Sequence, residues 1–216
     1  MLRTRRLLPL GIIVLLSFTS CTSLYYRSME KLGKEKRDIL VGRVKEVRKD
    51  QEEAKEQFKT TLEAFQALTG FDGGDLEKTY KKLNGELEDA ESRAKDVTKR
   101  IDSIEKVAGD MFAEWEKEIA DIQDRSLKSK SRTLLQDTRT RYAALLKKMR
   151  LAEKRMEPVL AAFRDQVLFL KHNLNARAIQ SLKGTTVEID KEVTKLMTDL
   201  EASIQEADAF IASMNT

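Results

Sequence analysis

The sequence predicts an all-α protein, an elongated antiparallel bundle or set of coiled-coil hairpins made of about four long helices. Three observations carry this expectation. Apolar residues recur at alternating spacings of three and four from Leu76 to Ile122, with Lys, Glu, Asp, Arg and Ser between them. Only Glu118 breaks the series, and Ile119 stands beside it. The same pattern appears in three other stretches of the chain. Finally, 35% of the 216 residues are charged, 6% are aromatic and two are proline, a balance that suits long solvent-washed helices.

The chain opens with Arg3, Arg5 and Arg6, then the apolar run Leu7 to Leu16, then Ser17-Phe18-Thr19-Ser20 before Cys21. A positive start, a short apolar core and small residues before a cut are the parts of a secretory signal. A core of about ten residues is half the roughly 20 that a spanning helix needs. Residues 1–20 therefore read as a signal peptide of the lipoprotein type, and residues 21–216 as a single elongated helical coiled-coil domain. Cys21, the only cysteine, is the expected lipidation site, although Phe18 stands where such signals usually carry Leu. Thr22 rather than Asp follows it; similarity to Gram-negative lipoproteins then implies sorting to the outer membrane, with the chain facing the periplasm. The formal charge of +4 falls to about +1 once the three leader arginines are removed. The remaining charges are mixed in sign, so nucleic acid is not an implied partner. A lone cysteine forms no internal disulfide, so packing must stabilise the fold.

The first predicted helix carries the stripe Leu40, Val44, Val47, Gln51, Ala54, Phe58, Thr61, Phe65 and Leu68. Thr69 to Gly74 should end it, and Asp75 should cap the second helix. Asp124 to Ser131 lack the stripe and are expected to link the second and third helices. The third runs through Leu135, Tyr142, Leu145, Met149, Met156 and Phe163, with Pro158 predicting a kink near Arg155 to Pro158 because proline removes a backbone bond and clashes with the preceding turn. Gly184 should stop it, with Thr185 or Thr186 capping a fourth helix striped by Ile189, Val193, Leu196, Leu200, Ser203, Ala207, Phe210 and Met214. Short loops place neighbours antiparallel. The fourth helix is shorter, so one end of the rod should carry fewer helices and expose apolar surface for a partner.

The inventory for catalysis is thin. His172 is the only histidine. A di-metal carboxylate bundle needs Glu-x-x-His twice, and position 169 is Phe. A zinc protease needs His-Glu-x-x-His, which is absent. No metal, cofactor or catalytic residue is expected, and the chain does not read as an enzyme. Asp72-Gly73-Gly74-Asp75 lacks the alternating acids of a calcium loop and reads as a turn plus cap. Arg125, Lys128, Lys130 and Arg132 form a serine-spaced basic segment that reads as a solvated loop, with contact to anionic lipid heads or cell-wall carboxylates as the functional option. Trp115 and Met111, Met149 and Met156 sit on stripes and read as core.

The stretch Phe163 to Ile179 is the oddest in the chain. Val167 to Leu170 is apolar on every side, which predicts a helix covered all round or one that binds something. Asn173, one turn on, would fix helix register if buried. The alternative is a partner-binding patch of Phe169, Lys171, His172, Asn173, Asn175 and Arg177.

Tyr142 with Met149, Ala152-Glu153, Met156-Glu157-Pro158-Val159-Leu160 and Leu170 to Ile179 resemble the signature of an uncharacterised family of gammaproteobacterial periplasmic coiled-coil lipoproteins (domain of unknown function 2959). The resemblance spans most of the chain after Cys21, and its second half is the more specific part. It implies lineage and location; no catalytic residues come with it.

The expected function is that of an outer-membrane-tethered periplasmic helical rod, a structural or interaction scaffold that docks a partner through a helix-in-groove contact. The alternative is a binding module that sequesters an apolar or lipid ligand in the bundle, opened by small residues such as Ala90, Ala94, Ala108 and Ala152. The implied contacts are a membrane, through the N-terminal lipid, and an unidentified protein, with self-association left open.

Overall fold

The computed structural model describes residues 36–214, so the leader and Cys21 lie outside the described residues. Within them the chain is helical, with five elements and no strand: α1 (Lys36–Thr69), α2 (Leu76–Asp121), α3 (Arg125–His172), the single short α4 (Ala176–Ser181) and α5 (Lys183–Met214). The all-α bundle expected from the stripes is what forms. α2 and α3, of 46 and 48 residues, each rise about 70 Å at 1.5 Å per residue. α1 and α5, of 34 and 32 residues, are shorter.

The four long helices alternate in direction and form a ring. α1 packs between α2 and α5, and α3 packs between the same two helices on the other side. The seam residues face inward. Phe58, Phe65, Leu83, Ile101, Leu145, Phe163 and Leu196 are fully buried, each contributing about 1.5–3 kcal/mol of transfer free energy. Phe65 and Phe163 meet edge to face across the core, with ring centroids 5.9 Å apart at 77°. Further along, Tyr142 of α3 stands edge-on to Phe112 of α2 at 5.5 Å and to Phe210 of α5 at 6.4 Å. Met111, Met149 and Met156 are buried as expected, while Trp115 is half-buried and its indole N–H donates to the Ser131 hydroxyl at 2.9 Å.

Around this core, arginines bridge neighbouring helices. Arg100 of α2 reaches Glu46 and Asp50 of α1, each at 2.9 Å. Arg164 of α3 reaches Glu91 of α2 at 2.7 Å, and Arg155 of α3 pairs with Asp199 of α5. Arg48 of α1 bonds Asp208 of α5 at 2.7 Å. Such exposed pairs are each worth about 0–1 kcal/mol. Their contribution is to fix which side of each helix faces which neighbour. Arg150 is the densest node, bonding Asp102 and Glu105 of α2 and Glu153 of its own helix. Burial works against its charge, but those three carboxylates outweigh burial and raise its pKa above the ordinary guanidinium value.

The connections correct the sequence expectations in two places. Asp124 to Ser131 is not a linker: α3 already begins at Arg125, because the Asp124 carboxylate accepts the Leu127 N–H at 2.8 Å as an N-cap. The stripe is missing there because, among the described helices, α3 has only α2 beside it along that length. Likewise, Gly184 does not stop α3, and neither Thr185 nor Thr186 is an N-cap. α3 ends at His172, and Gly184 lies in the first turn of α5, where several N–H groups have no intrahelical partner in any case. The Thr186 hydroxyl instead bonds the Leu182 carbonyl at 3.1 Å and lies 3.3 Å from the Thr69 hydroxyl, tying the start of α5 to the end of α1.

The expected turn and cap between α1 and α2 hold. The α1–α2 turn places Gly73 and Gly74 at φ of 156° and 104°, conformations that side chains disfavour, and Asp75 caps α2 by accepting the Lys78 N–H at 3.0 Å. α3 runs through Pro158 as one helix from Arg125 to His172.

At one end of the ring the described part of α1 stops short of the end of α2. Lys36, the first described residue of α1, bonds Glu114 of α2 at 2.7 Å. Beyond that point α2 runs on to Asp121, about 10 Å further, and turns into the first helical turns of α3. At this tip Ile119 and Leu135 are buried, but Leu127 and Leu134 are each 57% exposed.

Candidate functional site

The corner joining α3 to α5 holds all six residues of the patch expected from the sequence. Helical periodicity divides the end of α3 in two. Phe163, Val167 and Leu170 continue the seam and are buried; Leu168 and Phe169 point away and are 58% and 41% exposed. Val167 to Leu170 is therefore not covered all round: packing covers one face only.

Asn173 is not the buried register-setting residue that the sequence offered as one reading. It is exposed and terminates α3, with φ −130° and ψ 42°. Its backbone N–H donates to the Leu170 carbonyl at 3.2 Å and its side-chain amide donates to the Phe169 carbonyl at 3.0 Å, satisfying two carbonyls that the end of the helix leaves free. Asn175 then starts α4, its side-chain oxygen accepting the N–H groups of Arg177 at 3.1 Å and Ala178 at 3.0 Å. Ala178, Ile179 and Leu182 anchor this short helix in the core. The two asparagines thus shape the corner.

Around them Lys171, His172 and Arg177 are exposed, and Val187 near the start of α5 is 56% exposed. The corner presents apolar side chains edged by basic ones on a firmly capped backbone. Such a surface can hold a partner. Among the described residues, no cluster of three or more His, Cys, Asp or Glu could hold a metal ion.

A second concavity lies between α2 and α3, an open groove of about 590 Å³ with Ala94, Met156 and Leu160 along its apolar lining and Lys95, Lys99 and Lys154 among its charged residues. The other small stripe residues, Ala90, Ala108 and Ala152, are buried inside the bundle.

The polar pair that does sit in the core is Gln51 of α1 with Ser203 of α5, both fully buried and hydrogen-bonded at 3.0 Å. The signal was present in the sequence as two polar residues at seam positions. No described helix is long and apolar enough to cross a membrane.

Residues 25–214 match the model of a family described as Protein of unknown function (DUF2959). No curated protein and no solved structure matches the chain.

Proposed function

We propose, for a chain that belongs to the family of unknown function DUF2959, the role of a lipid-tethered helical scaffold of the bacterial envelope. In this reading Cys21 is acylated and holds the chain on the outer membrane, and the bundle stands in the periplasm and docks a protein at the α3–α4 corner. The family's gammaproteobacterial, periplasmic character belongs to the same proposal.

One observation carries the scaffold reading above all: the interior is filled along its length by large side chains. Phe58, Phe65, Phe163, Ile104, Met149 and Leu196 occupy it, so recognition falls to the outer surface. That favours a scaffold over a module with an apolar ligand inside the bundle. Exposed Phe169 between capped ends suits a partner's amphipathic helix, which would lay its apolar face against it. The tether rests on the leader and on Cys21 directly behind it.

Crosslinking in intact cells tests the docking. A photoreactive residue at position 173 should trap a discrete protein adduct, and Phe169→Asp should remove that adduct while the protein stays folded. A folded Phe169→Asp variant that keeps every adduct refutes the corner as the docking site. Radioactive fatty-acid labelling should be lost in Cys21→Ser; equal labelling of both chains refutes the tether.

A further inference from the structure

Charge is spread unevenly over the long helices. From Arg125 to His172, α3 carries thirteen Lys and Arg against four Asp and Glu, whereas α2 carries nine against thirteen. Part of this imbalance is used inside the bundle. Arg139 bonds Glu116 of α2 at 2.7 Å, Arg150 holds Asp102 and Glu105, Arg164 holds Glu91, and Arg155 holds Asp199 of α5. Arg141, Lys147, Lys148 and Lys154 are exposed and have no ion pair among the described residues.

These four cations surround Leu151, which is 43% exposed. Helical geometry sets Lys147 and Lys154 about 50° to one side of Leu151, and Arg141 and Lys148 about 60–80° to the other. Ala144 and Pro158 are exposed and lie within about 20° of it. The outward side of α3 therefore carries an apolar row, 144–151–158, between two cationic rows, 147–154 and 141–148, all with a seven-residue period. That is the layout of a second seam, turned away from the bundle. The surrounding acids leave it positive. Asp102, Glu105 and Glu153 are held by Arg150, Asp199 by Arg155, and Asp96 by Lys99 at 3.6 Å. Glu157 is turned about 120° from Leu151. Glu206 of α5, one heptad from Asp199, comes level with Lys148 but forms no ion pair among the described residues. On the apolar row itself, Asp137 and Asp165 stand about 21 Å from Leu151 at either end. Across the α2–α3 groove, Lys95 adds a further cation.

We infer that this face of α3 docks an acidic amphipathic helix of a partner protein, whose apolar seam lies on Ala144, Leu151 and Pro158 and whose Glu and Asp side chains meet the two cationic rows. Flanking charges select the partner in such packing, and here both flanks have one sign. A membrane surface is the weaker match. Interfacial helices are held by several bulky apolar side chains, and Leu151 is the only large apolar residue exposed between Leu134 and Leu168. A full seam has two apolar positions per heptad and this face has one, so the contact depends on charge and weakens with salt. The span from Arg141 to Lys154 is about 20 Å, roughly four turns of partner helix. Leu151 lies about 27 Å along α3 from Phe169, so this face is separate from the corner and needs neither the corner nor Cys21.

A photoreactive residue at position 151 of the full chain, in intact cells, should trap a protein adduct. Mass spectrometry of the joined peptides should return a segment with apolar residues at three-and-four spacing flanked by Asp and Glu. Lys147→Glu with Lys154→Glu should reduce that adduct at least about tenfold, with the thermal melt unchanged because both side chains are exposed and unpaired. The purified full chain should also bind a fluorescent synthetic helix of about 20 residues with Leu at that spacing and Glu on both flanks. The same double variant should weaken this binding at least about tenfold and Leu151→Asp by a similar factor. A counterpart peptide with Lys flanks should bind the charge-reversed variant and not the wild type.

A trapped segment that is basic or lacks apolar periodicity would overturn the inference. So would a lipid joined at position 151, or no adduct at 151 in cells where position 173 yields one. Equal binding of a Glu-flanked peptide with its residue order scrambled would mean that the face takes any polyanion, and would also count against a docked helix. Binding that is lost in Phe169→Asp but kept in the Lys147→Glu, Lys154→Glu variant would return the contact to the corner. Because the two sets of variants lie on separate stretches of α3, failure of this face and failure of the corner are read independently.

Discussion

The Ser203 hydroxyl on α5 donates a 3.0 Å hydrogen bond to the side-chain oxygen of Gln51 on α1, in a layer of the core where both residues are fully buried. The other half of the Gln51 amide, Nε2, has no partner. An orphaned buried donor costs about 1–3 kcal/mol, so this pair is not there for stability. It penalises any sliding of α5 along α1, because a shifted register would strand both polar groups.

Replacing the pair with Gln51→Leu and Ser203→Ala should therefore raise stability, by about 1 kcal/mol or more in urea unfolding. Ser203→Ala alone should lower it by about 1–2 kcal/mol, because it strands the acceptor as well. A double variant less stable than the wild type would contradict this account.

Phe163 is fully buried and meets Phe65 edge-on. Phe163→Ala should cost about 3–5 kcal/mol, and Phe163→Leu much less. A double-mutant cycle with Phe65→Leu should show a coupling of about 0.5–1.5 kcal/mol beyond the lost area, as edge-to-face rings do.

Tyr142 predicts an alkaline transition. Burial, helped by the Glu105 charge and opposed by Arg150, pushes its phenol up to about 12. The folded state thus favours the neutral form. The contribution is fully present below the unfolded value near 10 and is lost as pH rises through about 12. Thermal unfolding followed from pH 9 to 12 should show this loss, and Tyr142→Phe should flatten it. At the acid end, the hydrogen bond from Lys55 holds the Glu201 carboxyl below its ordinary range. Its contribution is present above the unfolded value near 4.5 and fades as pH falls below it.

Adjacent positions at the end of α3 should respond oppositely to charge. Phe169 is 41% exposed and Leu170 is fully buried. Phe169→Asp should change stability by only about 0.5–1 kcal/mol, whereas Leu170→Asp should unfold the protein or cost at least about 3 kcal/mol. Chemical denaturation of the two variants side by side measures both.

The long seams were legible because coverage on both sides enforces one rule over many turns. Every stripe position from Leu40 to Leu68 and from Ile189 to Met214 is buried, Gln51, Thr61 and Ser203 included. Legibility failed where coverage changed. The first turns of α3 lack a stripe because the described parts of α1 and α5 do not reach them, so Asp124 to Ser131 resembled a loop. The reversal after α3 was misplaced because glycine is the usual stop, whereas Asn173 and Asn175 do that work here through side-chain bonds to backbone groups. The residues named from Phe169 to Arg177 lie together at the corner, and Asn173 is an exposed cap rather than a buried register residue. The exposed leucines of the tip could not be recognised from spacing, since seven residues is also the period of a buried seam.

The antiparallel α1 and α5, joined by Arg48 with Asp208 and Lys55 with Glu201, bring the end of α5 back to the first described turns of α1. A reporter fused after Thr216 would therefore sit near the first turns of α1, and an epitope inserted between Gly73 and Gly74 would be displayed at the opposite end of α1. Accessibility probes placed at those two positions would read the two poles of the molecule independently.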